Sequence, residues 1–141
     1  MSQTFSTGAF PQFDASGATG ALIADRFINT FIAGEDLTGG PGLAVYLSAA
    51  YTVKRVNAAN MTTFLGITMT KAASGAKVTV LCRGFTRAKA FGSISAGDQL
   101  TTGPASQPGT VQTDNSSKNT TIIGMAIQAI SSGATGIILL W

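Results

Sequence analysis

Residues 64–82 read FLGITMTKAASGAKVTVLC, and residues 122–141 read IIGMAIQAISSGATGIILLW. In the first stretch Leu65, Ile67 and Met69 are large, while Gly66, Thr68 and Thr70 between them are small or polar. In the second, Ile123, Met125 and Ile127 alternate with Gly124, Ala126 and Gln128. A period of two sends successive side chains to opposite faces of an extended backbone, so each stretch opens with a half-buried strand. Small residues on the outer face let another backbone come close. Ser74-Gly75-Ala76 and Ser132-Gly133-Ala134 then supply turns at the same spacing, followed by the runs Lys77 to Cys82 and Thr135 to Trp141. Each stretch is therefore a β-hairpin, and the chain is all-β.

The likeness of the two stretches extends outward into an internal repeat. Ala33-Gly34-Glu35-Asp36-Leu37 recurs as Ala96-Gly97-Asp98-Gln99-Leu100, and a Gly-Pro loop follows each copy, Gly40-Pro41 and Gly103-Pro104. The repeat runs from about 32–82 and from about 94–141. Leu43, Val45 and Leu47 alternate, and Tyr51, Val53 and Arg55 return beside them; a short helix is the competing assignment, because Leu43, Tyr46, Leu47 and Ala50 also fit helical spacing. Asn57 to Asn60 reads as a turn or one helical turn, and a further strand, Phe85 to Phe91, follows Gly84. Glycines at turn-like intervals fit many short strands. The expected architecture is a small barrel or sandwich built from two related halves. The closing run Ile137 to Trp141 reads as a strand buried on both faces, at the core or at a contact between subunits. Ile137, Leu139 and Trp141 are the candidate oligomer contacts.

Residues 1–26 differ from the body, 27–141. They are Gly, Ala, Ser and Thr punctuated by Phe5, Phe10 and Phe13, with no sustained period. Such a segment buries too little apolar surface to offset its own ordering entropy, so the expectation is a flexible N-terminal arm. Its three phenylalanines are candidate anchors for pockets on a partner; the competing reading is that the rings fold back on the chain's own body.

Composition narrows the function. At 141 residues the chain suits one compact domain. Apolar residues make up 45% of it and charged ones 11%, against an average near 25%, so the surface is easily desolvated and suited to packing against other proteins. The net charge is +3, and the cations are scattered apart from Arg83, Arg87 and Lys89; nucleic-acid binding calls for a denser stripe with interleaved aromatics. There is no basic n-region followed by an apolar run, and the longest apolar run is far too short to span a bilayer. The expectation is a soluble chain synthesised in a cytoplasm, with no membrane and no nucleic-acid partner.

Catalysis finds no foothold. Histidine, the commonest general base and metal ligand, is absent. Cys82 is the only cysteine and sits in a strand-like run, where a small buried hydrophobe is the natural role. Neither a phosphate-binding loop nor a dinucleotide fingerprint is present. Ser74-Gly75-Ala76-Lys77 fits the S-x-x-K nucleophile pattern, but that chemistry needs a helix, whereas these residues lie at a hairpin turn. Glu35, Asp36 and Asp98 lie in Ala-Gly-acid turns, where a carboxylate accepts hydrogen bonds from turn amides. No catalytic residue, cofactor or metal site is expected.

The strings FLGITMTKAASGAKVTVL, RGFTRAKAFGSISAGDQL and IIGMAIQAISSGATGIILL, in that order, resemble small bacteriophage capsid decoration (cement) proteins from about residue 32 to the end. The resemblance implies a compact β-barrel or β-tulip body, usually a homotrimer, seated on the outer surface of an icosahedral shell at local threefold junctions. It implies major capsid protein as the partner, and the tying together of neighbouring capsid subunits as the task. The family has no catalytic residues to carry over. Alternatives are a phage tail, spike or head-fibre base component, or a β-clip-like binding module.

Overall fold

The computed structural model describes residues 27–115 and 121–141. The anchors Phe5, Phe10 and Phe13 lie outside the described residues. Among those described there is no helix. Nine strands follow one another: β1 (Phe27–Ala33), β2 (Ala44–Ala49), β3 (Thr52–Arg55), β4 (Phe64–Thr68), β5 (Lys77–Lys89), β6 (Gln99–Thr102), β7 (Val111–Thr113), β8 (Gly124–Ala126) and β9 (Thr135–Leu140).

The first five close on themselves. Pairing runs β1–β3–β2–β4–β5 and then back from β5 to β1, which makes a five-stranded barrel and removes its open edges. The β1–β3 pair is parallel and the others antiparallel. Alternation fills this barrel: Val45, Val53, Val78 and Val80 point inward with Ala33, Leu37, Leu43 and Ala72, and Phe31, Leu65 and Cys82 pack against them. The segment that also fitted a helix, 43–50, is extended, because its Val45 and Leu47 pair across to β3.

β5 is a single 13-residue strand. The sequence suggests separate strands on either side of Gly84; the structure instead carries the strand through it, with Gly84 at φ 118°. Glycine takes this backbone conformation without a Cβ penalty, so the strand can change direction while its ladder continues. Its first half pairs with β1 and β4, and its second half with β9. Strands β9, β8, β6 and β7 follow in that order, and a parallel bridge from Ala90 to Val111 brings β7 back beside the end of β5.

The second unit thus repeats the first, and its hydrogen bonds fix the equivalence residue by residue. Ala33 exchanges bonds with Gly75 and Ala76 as Ala90 does with Gly133 and Ala134. Leu37 donates to Ala72 as Ile94 donates to Ile130. Gly42 and Leu43 bracket Thr68 as Gly97 and Asp98 bracket Ala126. The hairpins of residues 64–82 and 122–141 are equivalent in this register. The two Ala-Gly-acid turns are not: Ala33–Leu37 matches Ala90–Ile94, while Ala96–Leu100 matches Pro41–Val45. The sequence match between them reflects shared turn chemistry. The second unit accordingly begins at Gly84, within β5, and not near residue 94.

Gly66 and Gly124 occupy the same place in the two units, paired with Val45 and Leu100. A Cβ on Gly66 would overlap the carbonyl oxygen of Leu81, and one on Gly124 that of Leu139. Close approach of two backbones dictates glycine at both. The second interior is formed by Ala88, Ala90, Ile94, Leu100, Val111, Ile123, Ala126, Ile130, Ile138 and Leu140. It is continuous with Ala44, Val56, Ile67 and Leu81, which project from the outside of the first barrel. The two units therefore share one core cluster.

Candidate interaction surface

The carboxylates serve the turns that hold the strands in place. Glu35 Oε2 accepts from the Arg55 backbone N–H at 2.7 Å and from Arg55 Nε at 3.2 Å. Asp98 Oδ2 accepts from the Ser95 backbone N–H and from Thr113 Oγ1, both at 2.9 Å. Asp36 Oδ1 accepts from the Thr38 N–H at 3.0 Å, and hydrogen bonding from Thr38 holds its carboxyl below the usual range. Burial pushes the free thiol of Cys82 up. It is half-buried against the first barrel's core.

Ser74 and Lys77 lie at a tight turn and at the first residue of β5, both exposed and neither on a helix. Among the described residues no group of three or more His, Cys, Asp or Glu could hold a metal ion. A groove of about 500 Å³ crosses the junction of the two units, between Pro41, Met69, Phe85, Arg87 and Ile137. Among the described residues Arg87 is its only charged lining residue. The described lining residues bring together no acid and base groups of the kind that proton transfer requires.

The surface with the clearest character is the outer face of β5, β9 and β8. Cross-strand register sets Phe85 beside Leu139 and Leu139 beside Met125. One step along, Arg87 lies beside Ile137, whose carbonyl accepts from the Ile127 N–H. Phe85 is 57% exposed, Trp141 50% and Ile127 42%. Met125, Ile137 and Leu139 are half-buried. On β5 the outward positions Arg83, Phe85, Arg87 and Lys89 are all exposed, while Gly84, Ala88 and Ala90 between and beyond them are buried. The Arg83 guanidinium stands 5.8 Å from the centre of the Phe27 ring, a cation–π contact.

Ile137, Leu139 and Trp141 therefore share one side of β9. Ile138 and Leu140 fill the core from the other. Among the described residues the outer side of this run is only partly covered, with Ile137 and Leu139 half-buried and Trp141 exposed. Phe85, Met125, Ile127 and Arg87 escape a reading based on hairpins alone. Their signal is present all the same, since Phe85 shares its parity with three cations along a strand whose other parity is small.

The sequence profile of a family described as phage cement protein matches residues 37–140, from the first barrel to the last strand. The chain belongs to the phage cement protein family. It is thereby a structural protein of bacteriophage particles. Among curated proteins none matches it. Of solved structures, this cement-family chain is similar to the N base of the head fibre gp8.5 of bacteriophage phi29, in a crystal structure. The TM-score is 0.59 at 18% identity, over 82% of this chain and 94% of the other. The likeness is one of fold.

Proposed function

We propose that the chain binds the outer surface of the phage capsid and stabilises contacts between neighbouring major capsid subunits, without catalysing a reaction. The observation that carries this reading is the family match from residue 37 to residue 140, across both units. The apolar outer face and the groove without paired acid and base groups support it. The chain acts as a homotrimer synthesised in the host cytoplasm, with no cofactor and with neither nucleic acid nor membrane as partner. Phe5, Phe10 and Phe13 anchor the N-terminal arm on the capsid. In a trimer, three arms act at high effective concentration once one has docked. Extended segments can also add to exposed sheet edges through backbone hydrogen bonds. Ile137, Leu139 and Trp141 lie on the side of β9 that is accessible to a partner.

The test is to mix the purified protein with expanded shells that lack it, sediment the shells and follow their disruption on heating. Co-sedimentation with a raised disruption temperature is the expected result. Serine at Phe5, Phe10 and Phe13 together should weaken binding while the oligomer persists; full affinity in that variant removes the arm from the mechanism. A second reading, a head-fibre base component, is favoured by the fold shared with the phi29 head-fibre base. Imaging of the virion separates the two, since a fibre base carries a projecting fibre and a cement protein does not.

A further inference from the structure

The internal repeat permits a comparison of the two units' outer faces. In the first unit a cross-strand row runs Ala44, Ile67, Leu81, Ile28. In the second the same row runs Gln99, Met125, Leu139, Phe85. Ala44, Ile67 and Leu81 are all at 0% exposure because the second unit's core lies against them. Among the described residues no third unit covers the second row. Its β6 end is polar, as a solvated position should be: Gln99 stands where the first unit has Ala44. The other three positions stay large and apolar, and Ile127, Ile137 and Trp141 extend them. A face adapted to water at one end and kept apolar at the other marks a covered patch.

Charge identifies what covers it. Arg83, Arg87 and Lys89 border the patch along β5, and no acidic residue occurs between Asp36 and Asp98 or after Asp114. β5, β8 and β9 therefore carry cations and no carboxylate. Among the described residues the one ion pair, Arg55 with Glu35, involves none of these three cations. A second copy that presented the same face would set like charges opposite one another across a partly desolvated contact. The patch also lacks the dense basic stripe with repeated stacking rings that nucleic acid requires. An apolar centre containing Phe, Met and Trp with arginine at its edge has the composition of a protein–protein interface core.

We infer that the outer face of β5, β9 and β8, centred on Phe85, Leu139 and Met125, docks on a protein surface whose apolar groove is rimmed by carboxylates. On the capsid-binding reading, on which this inference rests, that surface belongs to the shell. Phe85 is the anchor, and Arg87 and Lys89 pair with the rim.

The experiment measures binding of the full chain to expanded shells lacking it, for wild type, Phe85→Ser, Arg87→Glu and the control Gln99→Ala, with oligomeric state and melting followed in parallel. Phe85→Ser should weaken binding about tenfold or more. Arg87→Glu, at an exposed position that folding does not need, should weaken it several-fold and flatten the loss of affinity that added salt causes in wild type. Gln99→Ala should bind as wild type does. Wild-type binding that neither Phe85→Ser nor Arg87→Glu alters overturns the inference and leaves capsid binding standing. Failure of the wild type to bind removes the capsid reading and the inference with it. A Phe85→Ser protein that dissociates into monomers assigns the face to a second copy, and duplex DNA binding lost in Arg87→Glu assigns it to nucleic acid; either result overturns the inference.

Discussion

Leu81 and Leu139 are the same residue at equivalent positions of the two units, one covered and one not. Truncating each to alanine therefore measures what the cover contributes. Leu81 is at 0% exposure and belongs to the core cluster that joins the two units. Removing its three terminal carbons should cost about 3 kcal/mol, of which about 2 is lost transfer free energy and the rest the cavity left behind. Leu139 is half-exposed, so water can occupy the space its carbons vacate, and the expected cost is about 1 kcal/mol. At roughly 4 °C per kcal/mol for a body of this size, the melting temperature should fall by about 12 °C for Leu81→Ala and about 4 °C for Leu139→Ala. Both variants delete the same atoms from a strand interior, so effects on the unfolded chain largely cancel in the comparison. Differential scanning calorimetry at several protein concentrations is the assay. A concentration-independent loss for Leu139→Ala as large as that for Leu81→Ala would refute the assignment of an uncovered second face.

Three further outcomes are expected. Gly66→Ala sets a Cβ against the Leu81 carbonyl oxygen and 2.8 Å from Val80 Cγ1, so it should destabilise by about 2–3 kcal/mol; Gly75→Ala, with open space but φ 86°, should cost about 1 kcal/mol, and thermal melts of the pair check the order. Because burial raises the Cys82 thiol, alkylation of the native protein should be slow at neutral pH and gain rate only above the range of an exposed thiol. The raised value also means that the thiol's contribution to stability is present below the unfolded-state pKa and is lost as pH rises through the folded one. Asp36 runs the other way: its carboxyl is lowered by Thr38, so its contribution is present above the ordinary carboxylate pKa and is lost as pH falls through the folded value. Asp36→Asn should remove that part of the acid-side slope in a chemical denaturation series.

The hairpins were legible because period two and a Ser-Gly turn occur together at residues 64–82 and 122–141, and local chemistry suffices to specify them. β1 was not. In Phe27–Ala33 both parities carry apolar residues, Phe27 and Phe31 on one and Ile28 and Ile32 on the other, so no alternation marks the strand that closes the first barrel. The continuity of β5 was also hidden, since a glycine at φ 118° inside a ladder looks in sequence like one that ends it. The register of the repeat was obscured by two Ala-Gly-acid turns that are alike in chemistry and different in place. The outer face depends on which strands become neighbours, a long-range fact: Phe85, Met125 and Leu139 are distant in sequence and meet only through the β5–β9–β8 order.

Strand β5 belongs both to the closed barrel and to the strands of the second unit, and this has a mechanical consequence. Two barrels joined by a linker could swivel, and each could melt separately. Here the strand that closes the barrel also carries the ladder of the second unit, so a pull on either passes along one extended backbone with no linker between them. The pair should yield as one object, in a single cooperative event, and until then hold its two ends at a fixed separation.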